Sequence, residues 1–194
     1  MRHNPLLPNL PIAIVKTMSI DKEIVKDFVN ESKTLIEDMI DLLEGIEGDF
    51  SQVQKLAEYG NGVDRIMGGA KSLALSASTD HAVHLISDYT ALCKAVGYKA
   101  SQIKDNEQLF DVCVATLLDG SETLSTLLDR IEEPLSQLKA SIPQAFIDRL
   151  RWVSGKFSDD VSMSVGTGKS AEDEVGKQKL KQNEIDDLLK KLGL

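Results

Sequence analysis

The chain has 194 residues, a formal net charge of −9 and 42% hydrophobic residues. This length allows one domain with attached segments or two small domains, and the apolar content suffices for a buried core. The acidic charge disfavours nucleic acid and anionic membranes as partners, because neutralising phosphates requires clustered Lys and Arg. We therefore expect protein partners.

The sequence gives little indication of a metal site, a disulfide bond or a membrane-spanning helix. Cys93 and Cys113 lie in apolar periodic runs and outside any metal-binding spacing, so we expect buried, reduced thiols in a cytoplasmic protein. His81 and His84 are three residues apart and have no third ligand nearby, so solvated helix residues are favoured over a metal site. No apolar run approaches the length of about 18 residues that a membrane span requires.

Four segments with apolar residues at helical spacing follow a leader, residues 1–18, that we expect to be disordered. Ser19 is the predicted N-cap of the first segment, and Thr79 that of the third. Gly97 is predicted to end the third segment, and Gly120 to interrupt the fourth. The segments cover residues 20–46, 52–77, 80–97 and 105–132.

These segments predict an all-α fold, an antiparallel four-helix bundle, since this is the simplest way to bury four apolar stripes. A further helical piece, residues 144–153, follows Pro143 and completes a bundle domain of residues 19–153. Residues 154–180 are rich in Gly, Ser and charged residues, which predicts a flexible linker.

The last segment, residues 181–194, predicts a short amphipathic helix. Its apolar residues recur at the i, i+3, i+4 and i+7 positions, and a helix this short is marginal alone in water. We expect it to fold into the groove of a partner; the alternative is docking on its own bundle. The apolar residues are Ile185, Leu188, Leu189 and Leu192.

Two adjacent glycines, Gly68 and Gly69, lie inside the second predicted helix. Each Gly costs about 1 kcal/mol relative to Ala in a helix interior, so their presence suggests that another chain approaches the backbone closely. Asp64 lies one turn earlier on the same face as Gly68. The alternative for Asp64 is a solvated carboxylate that pairs weakly with Arg65 or Lys71.

The sequence Val-Asp-Arg-Ile-Met-Gly-Gly-Ala at 63–70 resembles the histidine phosphotransfer (HPt) domains of two-component signalling. Asp64 stands where those domains carry the phosphorylated histidine, and Met67 stands where they carry a lysine. The resemblance implies a four-helix bundle that a receiver domain approaches at Gly68, Gly69 and Lys71. Aspartate cannot relay a phosphoryl group as imidazole does, so we expect no phosphotransferase activity.

The C-terminal sequence Gln-Asn-Glu-Ile-Asp-Asp-Leu-Leu at 182–189 resembles the terminal peptide of flagellar switch proteins and the C-terminus of the chemotaxis phosphatase CheZ. Both peptides bind the response regulator CheY. The resemblance implies that this helix binds a CheY-like receiver, which supplies its own Mg²⁺, whereas this chain needs no cofactor. The implied contact residues are Gln182, Glu184, Ile185, Asp186, Leu188, Leu189 and Leu192.

Together these features predict a chemotaxis protein that acts on flagellar rotation through a CheY-like receiver. A CheZ-like phosphatase would need an amide one turn from its acid to orient water. Gly68 occupies the i+4 position from Asp64, which leaves Asn61 as the candidate amide; Glu133 and Gln137 have the required spacing but lie across Pro134. The alternatives are a non-enzymatic receiver-binding adaptor and a structural protein that self-associates through its tail. Whether the bundle forms a homodimer stays open.

Overall fold

The computed structural model describes residues 20–164 and 184–193, with side chains described for 20–157 and 185–193. Within these ranges the chain forms seven α-helices and no strand, which confirms the predicted all-α class. No helix among the described residues is long and apolar enough to cross a membrane. The helices are α1 (Lys22–Glu44), α2 (Lys55–Ala74), α3 (Ala82–Ala100), α4 (Glu107–Asp129), α5 (Leu135–Ala140), α6 (Gln144–Ser164) and α7 (Glu184–Leu192), and a 3-10 turn (Phe50–Gln52) precedes α2.

Helix α3 lies at the centre of the fold. It packs against α2, α4 and α7 and also contacts α5 and α6, while α1 covers α2 and α4. Most side chains of α3 are buried, because the helix carries apolar and small residues on nearly all of its faces. A narrow line of half-buried residues remains, and it includes Asp88 and Lys94.

Glycines allow the close packing of α3 rather than ending it. A Cβ at Gly97 would lie 2.9 Å from the ring of Tyr59 and 3.2 Å from the Leu56 carbonyl oxygen, so the helix continues to Ala100. The prediction that Gly97 ends the helix is therefore wrong. Gly120 lies inside an unbroken α4, so the prediction that it interrupts the helix is also wrong; a Cβ there would meet the ring of Phe146 at 3.4 Å, an ordinary contact distance.

Three helix boundaries differ from the predictions. Asp21 caps α1 by accepting a 2.8 Å hydrogen bond from the Glu23 amide, and Ser19 lies outside the described residues. The imidazole of His81, rather than Thr79, caps α3. Helix α6 continues to Ser164, into the predicted linker, because the apolar spacing extends to buried Phe157.

The core contains a small polar network around Tyr59 and Tyr89, beside Cys93, which is one of the two predicted buried thiols. The Tyr89 hydroxyl donates a 3.0 Å hydrogen bond to the Gly120 carbonyl, and the hydroxyls of Tyr59 and Ser121 are 3.2 Å apart. Cys93 and Cys113 are buried and unpaired, and burial raises the pKa of each thiol to about 12. Both cysteines are therefore protonated core residues, as predicted.

Candidate protein-docking face

One side of α2 carries a line of residues that are exposed or half-buried, although side chains of α3 contact two of them. We call this line the α2 ridge; its members recur at alternating intervals of three and four residues, which places them on one face of the helix. Leu75, at the C-terminal end of the line, is a large apolar residue and is 89% exposed. The ridge consists of Asn61, Asp64, Gly68, Lys71 and Leu75.

The two adjacent glycines of α2 have different roles. A Cβ at Gly69 would lie 2.8 Å from the ring of Phe28 on α1, so this glycine allows α1 and α2 to approach closely. A Cβ at Gly68 would have no neighbour within 4 Å. Packing within the fold thus explains Gly69, while Gly68 leaves bare backbone at the centre of the ridge.

Asp64 pairs with Lys94 of α3. The Lys94 ammonium lies 2.6 Å from a carboxylate oxygen of Asp64, and the lysine is only 23% exposed because it lies in the cleft between the two helices. Neither Arg65 nor Lys71, the partners considered from the sequence, pairs with Asp64, and Arg65 instead lies 3.5 Å from Glu31. Lys94 therefore supplies a cation beside the carboxylate from a neighbouring helix.

Asn61 lies one turn before Asp64 and is held by a tyrosine of α3. The Tyr98 hydroxyl donates a hydrogen bond to the Asn61 side-chain oxygen, which fixes the amide beside the ridge. The side-chain nitrogen of Asn61 carries two N–H donors, which can still bind a water molecule or a protein partner. The Lys94 ammonium lies 5.8 Å from the centre of the same Tyr98 ring.

The second acid and amide pair considered from the sequence is not assembled on one helix. Glu133 lies in the turn before α5 and makes a bidentate ion pair with Arg130. This pairing lowers the pKa of the Glu133 carboxyl. Gln137 lies within α5 and is exposed. Pro134 is the N-cap of α5, so Glu133 precedes the helix and does not share a helical face with Gln137.

Helix α7 packs against α3, with a smaller contact to α6. The apolar face predicted for the tail is the face that makes this contact: Ile185, Leu189 and Leu192 are buried, and Leu188 is half-buried. Of the other predicted contact residues, Gln182 and the side chain of Glu184 lie outside the described residues. The observed packing is the alternative in which the tail docks on its own bundle.

Two polar contacts flank the apolar face of α7. The Lys191 ammonium lies 2.6 Å from the Asp88 carboxylate of α3, and the Ser154 hydroxyl donates a 3.0 Å hydrogen bond to Asp186. Asp88 and Lys94 are six residues apart on α3, which corresponds to about 9 Å along the helix axis. The α3 residues that pair with the α2 ridge and with α7 therefore lie within two helical turns of each other.

The described residues contain no group of three or more His, Cys, Asp or Glu side chains suited to hold a metal ion. His81 accepts a 3.1 Å hydrogen bond from the Val83 amide, and His84 lies against the Ser78 carbonyl at 3.1 Å. Burial and the neighbouring His84 lower the pKa of His81. Both histidines thus make contacts at the start of α3.

Comparison with protein-family models, curated proteins and solved structures found no match to this chain. Sequence reasoning found Asn61, Asp64 and Gly68 but missed Lys94 and Tyr98, which approach from another helix. It also missed Leu75, although a leucine seven residues after Gly68 on the polar side of α2 was a readable signal.

Proposed function

We propose that this chain binds the receiver domain of a CheY-like response regulator in the cytoplasm and acts in chemotaxis signalling. The α2 ridge is the first proposed contact surface and α7 is the second. The observation that carries the proposal is the bare backbone at Gly68, between the Asp64–Lys94 pair and the exposed Leu75. A helix face with an exposed leucine and bare backbone suits a protein partner.

The resemblance of the tail to CheY-binding peptides supports the same partner class. Helix α7 packs on the same helix, α3, that supplies Lys94 beside the ridge, so a receiver domain bound at the ridge would have the tail within reach once α7 leaves α3. Two weak contacts on one partner raise the total affinity, because the second contact forms at a high effective concentration. The receiver would bring its own Mg²⁺.

The binding test is a calorimetric titration of the full chain with CheY-like receiver domains, with and without a phosphate mimic. Leu75→Ala should weaken binding because it removes an exposed apolar contact at the ridge. Asp111→Ala is the control, since it removes an exposed side chain from α4 rather than from α2. Absence of binding to every receiver, or equal affinity for both variants, would contradict a receiver contact at the ridge.

A second candidate function is dephosphorylation of the bound receiver, in the manner of CheZ. The observation that favours it is the presence of Asn61 and Asp64 one turn apart on the ridge, with Tyr98 and Lys94 holding their side chains. The Asn61 amide would orient water towards the acyl phosphate. Without this reaction the chain acts as an adaptor that binds the receiver.

The loss of phosphate from a phosphorylated receiver separates the two candidates. A phosphatase should accelerate the loss, and Asn61→Ala should remove most of the acceleration while binding is retained. Asp64→Asn should do the same, with Asp111→Ala again as the control. Binding without any acceleration by the wild-type chain would leave the adaptor as the function.

A third candidate, self-association through the tail, is favoured by the packing of α7 on α3. The same surface of α3 would accept α7 of a second copy, and the pair would form a homodimer. Sedimentation of the full chain over a range of concentrations tests this. A monomer mass at every concentration would contradict a dimer in which α7 of one copy packs on α3 of another.

A further inference from the structure

The residues that the tail would use to bind a receiver are already buried within this chain. Ile185, Leu189 and Leu192 form one stripe along α7, and each is almost completely inaccessible where α7 packs on α3. A helix of nine residues has only one such apolar stripe. The stripe cannot contact α3 and a receiver at the same time.

The polar contacts of α7 suggest that this packing is reversible. The Lys191–Asp88 pair joins a lysine whose side chain is 64% exposed to an aspartate that is 22% exposed, and pairs near the surface contribute little. Among the described side chains of α7, residues 185–192, three are fully buried, and helices this short do not persist without such packing. Helix α7 therefore has the features of a segment that opens locally at low cost.

We propose that α3 and the receiver compete for the apolar face of α7, so that the docked tail is a closed state which a receiver must displace. This inference rests on the proposed function, since it concerns how the same tail is regulated. The apparent affinity of the full chain is then lower than that of the free tail by the fraction of molecules in which α7 is undocked. Any change on α3 that weakens the docking should strengthen receiver binding, although the tail itself is unchanged.

The test is a charge-reversal cycle in the full chain, made of Asp88→Lys, Lys191→Glu and the double variant. Asp88→Lys places a second lysine beside Lys191, and the repulsion should release α7. In a Lys191→Glu chain the same change restores a pair of opposite charges, which should hold α7 in place. The tail sequence is identical within each comparison. Asp111→Lys is the control, because it reverses an exposed charge on α4 for which the described residues show no ion pair.

Two measurements are made on every variant: hydrogen exchange of the α7 amides in the free chain, and titration with a CheY-like receiver carrying a phosphate mimic. Asp88→Lys should accelerate exchange and tighten receiver binding about two- to fivefold in the wild-type tail. In the Lys191→Glu chain it should slow exchange and weaken binding by a similar factor. If the side chain at position 88 contacted the receiver directly, Asp88→Lys would change receiver affinity in the same direction in both tails.

The outcomes separate this inference from the proposed function. If α7 exchange follows the cycle but all variants bind the receiver equally, receiver binding stands and the competition is wrong. If Asp88→Lys changes binding in the same direction in both tails, the competition is also wrong. If no variant binds any receiver, the proposed function fails and the competition fails with it, while the exchange data still report the docking of α7.

Discussion

Replacing Gly68 and Gly97 with alanine should shift stability in opposite directions, although both glycines lie inside helices. Gly68→Ala adds a methyl group with no neighbour within 4 Å, so it should gain the helix preference of alanine, about 0.5–1 kcal/mol. Gly97→Ala gains the same preference but places its Cβ 2.9 Å from the Tyr59 ring. Overpacking of this kind costs about 1–3 kcal/mol, so the net change should be a loss of up to about 2.5 kcal/mol.

The Gly97 site has little room to adjust. Tyr59 is fully buried, and its hydroxyl lies 3.2 Å from Ser121, so the ring cannot turn away without breaking this contact. The second close neighbour, the Leu56 carbonyl oxygen at 3.2 Å, belongs to the backbone of α2. Backbone atoms move only if the whole helix shifts, which is why we expect a loss.

Urea unfolding of the two full-length variants measures both changes. The midpoint for Gly68→Ala should rise and that for Gly97→Ala should fall, with the same denaturant dependence as the wild type. In thermal unfolding each 1 kcal/mol should correspond to about 2–4 °C for a chain of this size. If both variants shift in the same direction, the distinction between an open and a packed glycine is wrong.

Gly68→Ala also tests why this position lacks a side chain. If a receiver approaches the bare backbone, the added methyl group should weaken its binding by about 1–2 kcal/mol, roughly 5- to 30-fold in Kd. The variant would then be more stable than the wild type and bind less well. A stabilised variant with wild-type affinity would show that the receiver does not contact the helix at Gly68.

Three further predictions concern the core and the start of α3. The pKa of His81 is lower in the folded chain than its ordinary value of about 6.5, so folding favours the neutral imidazole. This contribution to stability is complete above about pH 6.5 and is lost as the pH falls through the pKa of His81 in the folded chain. His81→Asn keeps an N-cap acceptor, so its urea midpoint should fall less than that of the wild type on acidification; an equal fall would refute the role of His81. Cys93 and Cys113 should resist a thiol reagent in the native chain and react in denaturant, and rapid native labelling would contradict their burial. Leu189→Ala should accelerate hydrogen exchange of the α7 amides without lowering the midpoint of the bundle, and unchanged exchange would show that this side chain does not hold α7.

Local sequence patterns determined the fold class and most of the helices. Apolar residues at intervals of three and four specify both a helix and the side that is buried, because each helix must cover its own stripe. This reasoning located α1, α2 and α4 to within a few residues, and it identified Cys93 and Cys113 as buried. It also singled out Asn61, Asp64 and Gly68, because a glycine pair in a helix is unusual without a packing or binding reason.

Only the tertiary structure decided what the individual glycines and charges do. Gly68 and Gly97 look alike in the sequence, yet one is open and the other touches Tyr59, because the difference depends on which helix passes opposite each residue. The partner of Asp64 is Lys94, which lies on α3, and local patterns do not specify the rotation and offset of two packed helices. The same limit applies to α7. Its apolar stripe was readable from the sequence, but the surface that buries it was decided by the packing of the whole bundle.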